Sequence, residues 1–422
     1  MTPEARARVT IDALLAAAGW HVCNVADANI HAAVGVAIRE FPLDPGFGFA
    51  DYLLYVNGKA CGVIEAKKEG ASLTGVELQS SRYAKGLPTT LPAWSRPLPF
   101  VWESTGVETH FTNGLDPEPR ARSVFAFFRP ELLVQWLALL SPTASQSNGN
   151  GNGNGVSEPP STFLARMRNM PKLVTEWGSG GAHYQLWPAQ IGAITNLEKS
   201  LAANKPKALI QMATGSGKTF TSIGFIYRLI KFGGARRVLF LVDRGNLARQ
   251  TKKEFDAYAS PYNNYKFGEE YIVQHLHGGH IDTSARVVIC TIQRMFSMLK
   301  GRELADEADE ESTERIESLF KDPEPIGYNP AIPIETFDIV VTDEAHRSIY
   351  NLWRQVLDMI ATGTDIKPVE IVVFMRSVKS RSFFEQMKGR GVRVCNPTDL
   401  AAVNLKRSQA LRQARLAKAF SQ

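Results

Sequence analysis

The spacing of hydrophobic side chains differs between segments of the chain and predicts a succession of helices and strands. Apolar side chains recur at helical spacing through residues 2–19 and stop at Gly19, which predicts an amphipathic helix there. Two β-rich runs then flank Asn57-Gly58, a dipeptide typical of hairpin turns. Aromatic-rich residues 94–129 predict further strands, and residues 130–140 predict a short apolar helix. We therefore expect helices and strands to share one α/β domain in this part of the chain.

A polar segment rich in asparagine and glycine, residues 141–160, interrupts this pattern. Its side chains could not build a core, so we expect a flexible linker between a domain at residues 1–140 and another at 161–360. In the second domain, apolar runs typical of buried parallel strands lie at residues 237–243, 287–292 and 337–342. The second domain is thus expected to be a doubly wound α/β unit with a parallel sheet.

A further apolar run, beginning at Ala208, is expected to form a strand that enters a glycine-rich turn. Gly215 and Gly217 can adopt positive φ, which lets backbone N–H groups and the following helix N-terminus face phosphate oxygens. Lys218 would then reach the β- and γ-phosphates, and the Thr219 hydroxyl would ligate Mg²⁺. The pattern predicts an ATP site whose phosphate-binding residues are Thr214, Gly215, Ser216, Gly217, Lys218 and Thr219.

Acidic residues follow the last of the predicted parallel strands. Asp343 and Glu344 come directly after the run at residues 337–342. Open α/β sheets bind ligands at the carboxyl ends of their strands. We expect Asp343 to hold Mg²⁺ through water and Glu344 to polarise the water that attacks ATP.

The predicted hairpin carries a second group of chemically active residues. Glu65 and Lys67 are two positions apart on one strand and therefore share a face. A two-residue loop would place Asp51 opposite Ile64, whereas a loop of residues 57–59 places it opposite Glu65. We predict the three-residue loop, because two facing carboxylates make a hard oxygen site for Mg²⁺ and a nearby lysine can serve the attacking water.

This pattern indicates a metal-dependent nuclease centre with Asp51, Glu65 and Lys67 as catalytic residues. Gln79 and Tyr83 lie four positions apart on one face of a helix predicted at residues 73–85, where they could stand beside that centre. The alternative is an exposed hairpin on which Glu and Lys alternate with no catalytic role.

Composition limits the classes of protein that fit. The net charge of +6 is compatible with a polyanionic partner. Four cysteines without paired spacing indicate reduced thiols. We find no apolar run of about 18 residues and no signal peptide, so we expect a cytoplasmic protein.

Together, the Asp51, Glu65 and Lys67 pattern, Gln79 and Tyr83, and the ATP site resemble the motor/nuclease subunit of type I restriction enzymes. That family joins a nuclease of the PD-(D/E)xK fold to a superfamily 2 helicase with RecA-like lobes. The resemblance implies that Asp51 and Glu65 hold the metal, that Lys67 serves the water, and that the other two residues support the site or contact DNA. It also implies double-stranded DNA, specificity subunits and methyltransferase subunits as partners.

Other segments of the second domain resemble helicase motifs. The segment around Gln190 is similar to the motif that reads adenine, and His346 matches the residue that links hydrolysis to DNA movement. Segments after the strands at residues 237–243 and 287–292 resemble DNA-tracking motifs, although packing of strand against helix explains them as well. The resemblance thus extends over nearly all of residues 1–360.

Residues 361–422 resemble only part of a second helicase lobe. They contain likenesses of motifs V and VI, with Arg390 and Arg393 as candidate arginine fingers, followed by a basic tail. A doubly wound lobe needs several βα units of about 30 residues, and too few residues separate His346 from motif V. We therefore expect ATP binding to be retained and DNA translocation to be impaired. The alternatives are a stand-alone nuclease with a vestigial ATPase, or a non-catalytic module that binds ATP and DNA as a decoy.

Overall fold

The computed structural model describes a seven-stranded sheet, a four-stranded sheet, a two-stranded pair and the helices that pack on them. The described residues are 2–73, 82–138, 162–179, 181–205, 207–212, 216–302, 304, 327–343 and 356. Several predictions fall outside these residues: the linker at 141–160, the remnant at 361–422, and the roles of Gln79, Thr214, Gly215, Glu344, His346, Arg390 and Arg393.

The helices follow from capping residues and apolar spacing. The first helix starts after Thr2, whose Oγ1 accepts a hydrogen bond from the Ala5 N–H at 3.2 Å, and it buries Ala7, Ile11 and Leu15 at intervals of four residues. Its bounds agree with the predicted helix at residues 2–19. In the described residues the α-helices are α1 Pro3–Ala17, α2 Pro130–Ala138, α3 Phe163–Arg168, α4 Pro188–Ala202, α5 Lys218–Lys231, α6 Gly245–Ala257, α7 Phe267–Glu270 and α8 Ile292–Leu299. No helix in these ranges is long and apolar enough to cross a membrane.

The first sheet has seven strands that lie side by side in chain order. The pairs β1/β2 and β4/β5 are parallel, and the other neighbours are antiparallel. Its strands are β1 His21–Asn24, β2 Gly35–Pro42, β3 Phe49–Val56, β4 Lys59–Ala66, β5 Phe100–Ser104, β6 Thr109–Asn113 and β7 Arg122–Val124. The strands predicted in residues 94–129 are confirmed, and α1 and α2 add apolar side chains to the core on one face of the sheet.

The β3–β4 hairpin corrects the predicted loop. Only Asn57 and Gly58 form the turn, with φ of 49° and 73°, and Val56 pairs directly with Lys59. Asn-Gly favours this two-residue turn because both central positions need positive φ. The three-residue loop was therefore wrong.

A β-bulge shifts the register farther along the same hairpin. Tyr55 pairs with Ala60, but Leu54 pairs with Gly62, so Cys61 is the extra residue. Cys61 is fully buried, and its Sγ–H donates to the Leu54 carbonyl at 3.5 Å. Beyond the bulge Tyr52 pairs with Ile64, and the same register continued by one residue sets Asp51 opposite Glu65.

The second sheet is parallel and has the order β11-β12-β10-β13. Its strands are β10 Val238–Val242, β11 Val273–His275, β12 Val287–Thr291 and β13 Ile339–Thr342, and a separate antiparallel pair consists of β8 Glu176–Ser179 and β9 Ala182–Gln185. Side chains of β10 and β12 are buried on both faces, as expected for the interior of a parallel sheet. The predicted α/β class is confirmed.

The strand predicted from Ala208 does not form. Residues 207–212 are described but have no strand hydrogen bonding. Ile210 and Met212 are buried, whereas Leu209 is 40% exposed, so only one side of this segment packs on the core. An apolar run forms a central strand only when neighbours cover both faces and a ladder satisfies its backbone.

Both sheets lie within one compact unit, and polar contacts join them. Arg129 pairs with the buried Glu335 carboxylate, just before β13. On α2, the Gln135 Oε1 accepts a hydrogen bond from Arg236 Nη1 at 3.0 Å, and Arg236 also holds Asp338. The part of the chain that carries the first sheet therefore touches the start of β13 directly.

Candidate functional site

Two carboxylates meet where β3 and β4 run past the bulge. The side chains of Asp51 and Glu65 are 14% and 5% exposed, respectively. The Oδ2 atom of Asp51 accepts a hydrogen bond from the Ala66 backbone N–H at 2.8 Å, which ties it to the strand that carries Glu65. The structure thus places both predicted acids side by side in a mostly buried position.

Lys67 lies on the same face as these acids, as the spacing predicted. Its Nζ donates to Glu65 Oε1 at 2.6 Å, and its backbone N–H donates to the Ser104 carbonyl on β5 at 2.8 Å. The other oxygen, Glu65 Oε2, is buried without a hydrogen-bond partner among the described residues. The ammonium of Lys67 therefore satisfies one carboxylate oxygen of Glu65 and leaves the other as a buried acceptor.

Burial and neighbouring charges change the proton affinity of this pair. Burial raises the pKa of Glu65 to about 7, and the negative charge of Asp51 raises it further against the opposing hydrogen bond from Lys67. Burial lowers the pKa of Lys67, but its hydrogen bond to Glu65 and the charges of Glu65 and Asp51 outweigh this, so that pKa is raised. Tyr83 lies close enough to Lys67 to interact with it electrostatically. Lys67 is therefore cationic at neutral pH, while Glu65 is close to its titration midpoint.

The chemistry of these atoms fits a hard divalent cation. Carboxylate oxygens are the ligands that Mg²⁺ prefers, and Glu65 Oε2 is a buried acceptor that a cation would satisfy. In the described ranges, no group of three or more His, Cys, Asp and Glu side chains is arranged to hold a metal ion. Asp51 and Glu65 alone would supply the protein carboxylates, which suits Mg²⁺ because this ion usually keeps several of its waters.

Two further charged residues lie in this region, and the sequence analysis did not predict either of them. Glu103 on β5 pairs in register with Glu65 and is 1% exposed, so three acids lie in a row across β3, β4 and β5. Arg8 on α1 donates from Nη2 to Asp51 Oδ1 at 2.5 Å. Glu103 ends a short apolar run, a weak signal without the strand order, and Arg8 lies more than forty residues before Asp51 in the sequence.

The second candidate site is the glycine turn before α5. Gly217 has φ of 73° and caps the helix that begins at Lys218. The positive φ favours glycine here, and a Cβ at Gly217 would lie 2.6 Å from Gln190 Nε2, so any other residue would also displace the end of that side chain. Lys218 and Thr219, in the first turn of the helix, are both half-buried. In the described half of the predicted turn, Gly217 thus has the expected positive φ, and a helix begins directly after it.

Gln190 packs against this turn. Its Nε2 donates to the Ser216 carbonyl at 3.3 Å, and its Oε1 accepts from the Trp187 N–H at 2.9 Å, just before α4. Gln190 is 6% exposed. In this structure Gln190, predicted to read adenine, thus packs against the glycine turn.

Acidic residues lie at the carboxyl ends of two neighbouring parallel strands, as predicted for Asp343. Asp343 follows β13, and its backbone N–H donates to the Leu241 carbonyl on β10 at 2.9 Å. Asp243 follows β10 and is 3% exposed. Gln293 Nε2 donates to the Asp243 carbonyl at 3.1 Å, and both Gln293 and Arg294 are buried at the start of α8. The packing explanation of the segment after β12 is therefore confirmed.

The raised pKa of Glu65 predicts a pH-dependent stability for the metal-free protein. The folded state holds this proton more tightly than the unfolded state, so the contribution of Glu65 to the free energy of unfolding is fully present below about pH 4.5 and is lost as pH rises through 7. Full ionisation of Glu65 costs roughly 3 kcal/mol. Thermal unfolding in a chelator, from pH 5 to pH 8, should show a steeper decline for the wild type than for Glu65→Gln. Parallel curves would contradict the raised pKa.

Comparison with known proteins identifies two matching family models. The model described as "Type III restriction enzyme, res subunit" matches residues 183–367. A second model, "Type I restriction enzyme EcoKI endonuclease subunit second domain", matches residues 29–104. The first range includes Gln190, Lys218 and Asp343, and the second includes Asp51 and Glu65.

Curated relatives are similar at about one quarter identity. The type I restriction enzyme EcoKI endonuclease subunit of Escherichia coli (strain K12) is 25% identical over 370 residues, which cover 82% of this chain and 29% of the relative. The EcoAI endonuclease subunit of Escherichia coli is 27% identical over 199 residues, or 46% of this chain and 20% of the relative. The chain spans less than one third of the length of either relative. These matches confirm the resemblance that the motifs indicated.

Solved structures give weaker likenesses. A fragment of a putative HsdR subunit of a type I restriction enzyme from Vibrio vulnificus YJ016 is 17% identical, with a TM-score of 0.29 over 93% of this chain and 59% of that one. The Sulfolobus solfataricus SWI2/SNF2 ATPase core in complex with double-stranded DNA is 12% identical, with a TM-score of 0.33 over 53% of this chain and 38% of that one. Values this low do not establish a shared fold, so the α/β class stands on the strand order and pairing above.

Proposed function

We propose that this chain is the nuclease and ATPase part of a type I restriction endonuclease subunit, which cleaves double-stranded DNA with Mg²⁺ and hydrolyses ATP. The observation that carries the proposal is the cluster at the β3–β4 hairpin, where Asp51, Glu65 and Lys67 come together in a buried position. The similarity to type I endonuclease subunits at both candidate sites supports it.

At the hairpin, Asp51 and Glu65 would hold Mg²⁺. Bound there, the ion would supply a Lewis acid that stabilises the charge developing on the phosphodiester. Lys67 stays protonated beside Glu65 and donates hydrogen bonds, so it positions the attacking water and stabilises negative charge on the phosphate. Tyr83, and Gln79 by its predicted helical position, would support this group or contact DNA.

At the glycine turn, the backbone around Gly217 and the N-terminus of α5 would bind the phosphates of ATP. Lys218 would contact the β- and γ-phosphates, and Thr219 and Asp343 would hold the accompanying Mg²⁺. Glu344 would polarise the attacking water.

The remaining roles concern the base of the nucleotide, the transition state and the partners. Gln190 would set the shape of the turn and read adenine, Arg390 and Arg393 would stabilise the transition state, and His346 would link hydrolysis to DNA. The expected partners are double-stranded DNA and the specificity and methyltransferase subunits of a restriction-modification complex.

Two assays on the purified chain test this proposal. Supercoiled plasmid should be nicked or cut in Mg²⁺ and left intact in a chelator. ATP turnover should rise when duplex DNA is added. An absence of cleavage in both Mg²⁺ and Mn²⁺ would contradict the nuclease role. A rate of ATP turnover that is the same with and without duplex DNA would contradict the motor role. Cleavage without ATP turnover would instead favour the stand-alone nuclease.

A further inference from the structure

Arg8 of α1 contacts the acid that the proposed nuclease needs for its metal. We propose that Arg8 is a positioning residue that competes with the divalent cation for Asp51 and then binds a phosphate of the DNA backbone. This inference rests on the proposed function of the hairpin site.

The contacts of Arg8 bridge the helix and two strands. Nη2 donates to Asp51 Oδ1 at 2.5 Å, and Nη1 donates to Glu40 Oε1 on β2 at 2.5 Å. The Arg8 side chain is 38% exposed and the Glu40 side chain is 67% exposed, so the arginine reaches the acids from the solvent side. Since Ala66 N–H occupies Asp51 Oδ2, both oxygens of Asp51 have donors in this state.

A cation that binds Asp51 therefore meets Arg8 as a competitor. The guanidinium and the metal ion carry charges of the same sign and would use the same oxygen, Oδ1. Glu65 Oε2 has no competing donor among the described residues, so the competition falls on Asp51 alone. Occupation of the site by the metal should release Arg8 from Asp51.

Arg8 also lines an open cavity of about 430 Å³, which has room for a phosphate group once Arg8 leaves Asp51. The cavity is lined by Arg8, Asn24, Val25, Ala26, Arg39, Glu40, Asp51 and Tyr52. Arg39, which also lines the cavity, is held by Asp12: Arg39 Nε donates to Asp12 Oδ1 at 3.1 Å, and Arg39 Nη2 donates to Asp12 Oδ2 at 2.9 Å.

The guanidinium of Arg8 also has a donor to spare. Its Nε is buried and has no partner in the part of the chain that the structure describes. Adjacent guanidinium donors can bind two oxygens of one phosphate in a bidentate manner. A DNA strand that passes Asp51 could provide this phosphate. Release of Arg8 would thus turn a contact that blocks the metal into one that holds the substrate.

The competing explanation is that Arg8 only pins α1 to the sheet. Loss of a purely structural ion pair would lower stability and weaken metal and DNA binding together, whereas the proposed role changes the two affinities in opposite directions. Arg6→Gln is a matched control, because it removes an equal charge from an exposed position on the same helix.

The experiment titrates the whole chain with Mn²⁺ by calorimetry and measures duplex DNA binding in Ca²⁺. In Arg8→Gln, Mn²⁺ should bind about threefold to fivefold tighter, because a partly exposed competing charge is gone. DNA should bind about threefold to tenfold more weakly. Arg8→Lys keeps the charge and should keep Mn²⁺ affinity near that of the wild type, and Arg6→Gln should leave Mn²⁺ affinity unchanged.

Failure of this inference can be told apart from failure of the proposed function. Unchanged or weaker Mn²⁺ binding in Arg8→Gln, or unchanged DNA binding, would overturn the role of Arg8. If Glu65→Gln leaves Mn²⁺ binding intact, the hairpin is not the metal site and the proposed nuclease function fails with it.

Discussion

Glu65→Gln is expected to reduce metal-dependent DNA cleavage by at least about 100-fold, because it removes a charged ligand from a site with two carboxylates. The fold should survive the change. The Glu65 side chain is buried and its ionised form is costly there, so a neutral amide of the same shape relieves that cost. Lys67 is 28% exposed and keeps contact with water when its partner is lost. Plasmid nicking in Mg²⁺, with circular dichroism as a check on folding, measures the effect.

Glu69→Gln provides the matched control for this variant. Glu69 lies four residues farther along the chain in an exposed position, so the same change of charge occurs outside the site. Cleavage by Glu69→Gln should remain within about twofold of the wild type, as expected for an exposed residue. Comparable cleavage by Glu65→Gln and the wild type would refute the assignment of the hairpin as the catalytic centre.

Lys218→Ala is expected to weaken ATP binding by about 10- to 100-fold. A charged hydrogen bond to phosphate contributes about 1.5–3 kcal/mol, and alanine cannot replace it. Lys218 is the first residue of α5, directly after Gly217, so its side chain starts at the end of the helix that attracts anions. Titration with a fluorescent ATP analogue reports binding even if turnover is slow.

Lys199→Ala serves as the control for Lys218→Ala. Lys199 is exposed near the end of α4, and alanine is well tolerated in a helix. Its ATP affinity should equal that of the wild type. If Lys218→Ala also binds ATP normally, the glycine turn is not a phosphate site and the ATPase half of the proposed function is wrong.

Local signals in the sequence were sufficient for much of the architecture. Helical spacing predicted α1, and apolar runs predicted β10, β12 and β13, because each signal depends on neighbours within one element. The run at Ala208 misled the prediction, since a strand also needs partners that no local pattern reveals. The tertiary arrangement decided that case.

The candidate nuclease site was only partly visible in the sequence. Asp51, Glu65 and Lys67 could be grouped because they belong to one hairpin. Glu103 joins them through a parallel partner strand, and Arg8 joins them through a helix packed on the sheet. Both contacts join residues that are far apart in the sequence, and neither produces a periodic pattern along the chain. For the same reason, sequence reasoning found the acids but missed the arginine that contacts one of them.

The bulge at Cys61 makes the parity of sequence spacing informative. Across a regular hairpin with a two-residue turn, facing residues are always an odd number of positions apart. Asp51 and Glu65 are fourteen positions apart, an even number, so an Asn-Gly turn between them already requires one extra residue somewhere in the strands. Homologous chains can therefore lengthen or shorten this hairpin by two residues and keep the acids facing. A change of one residue would separate the acids unless a bulge appeared or vanished with it.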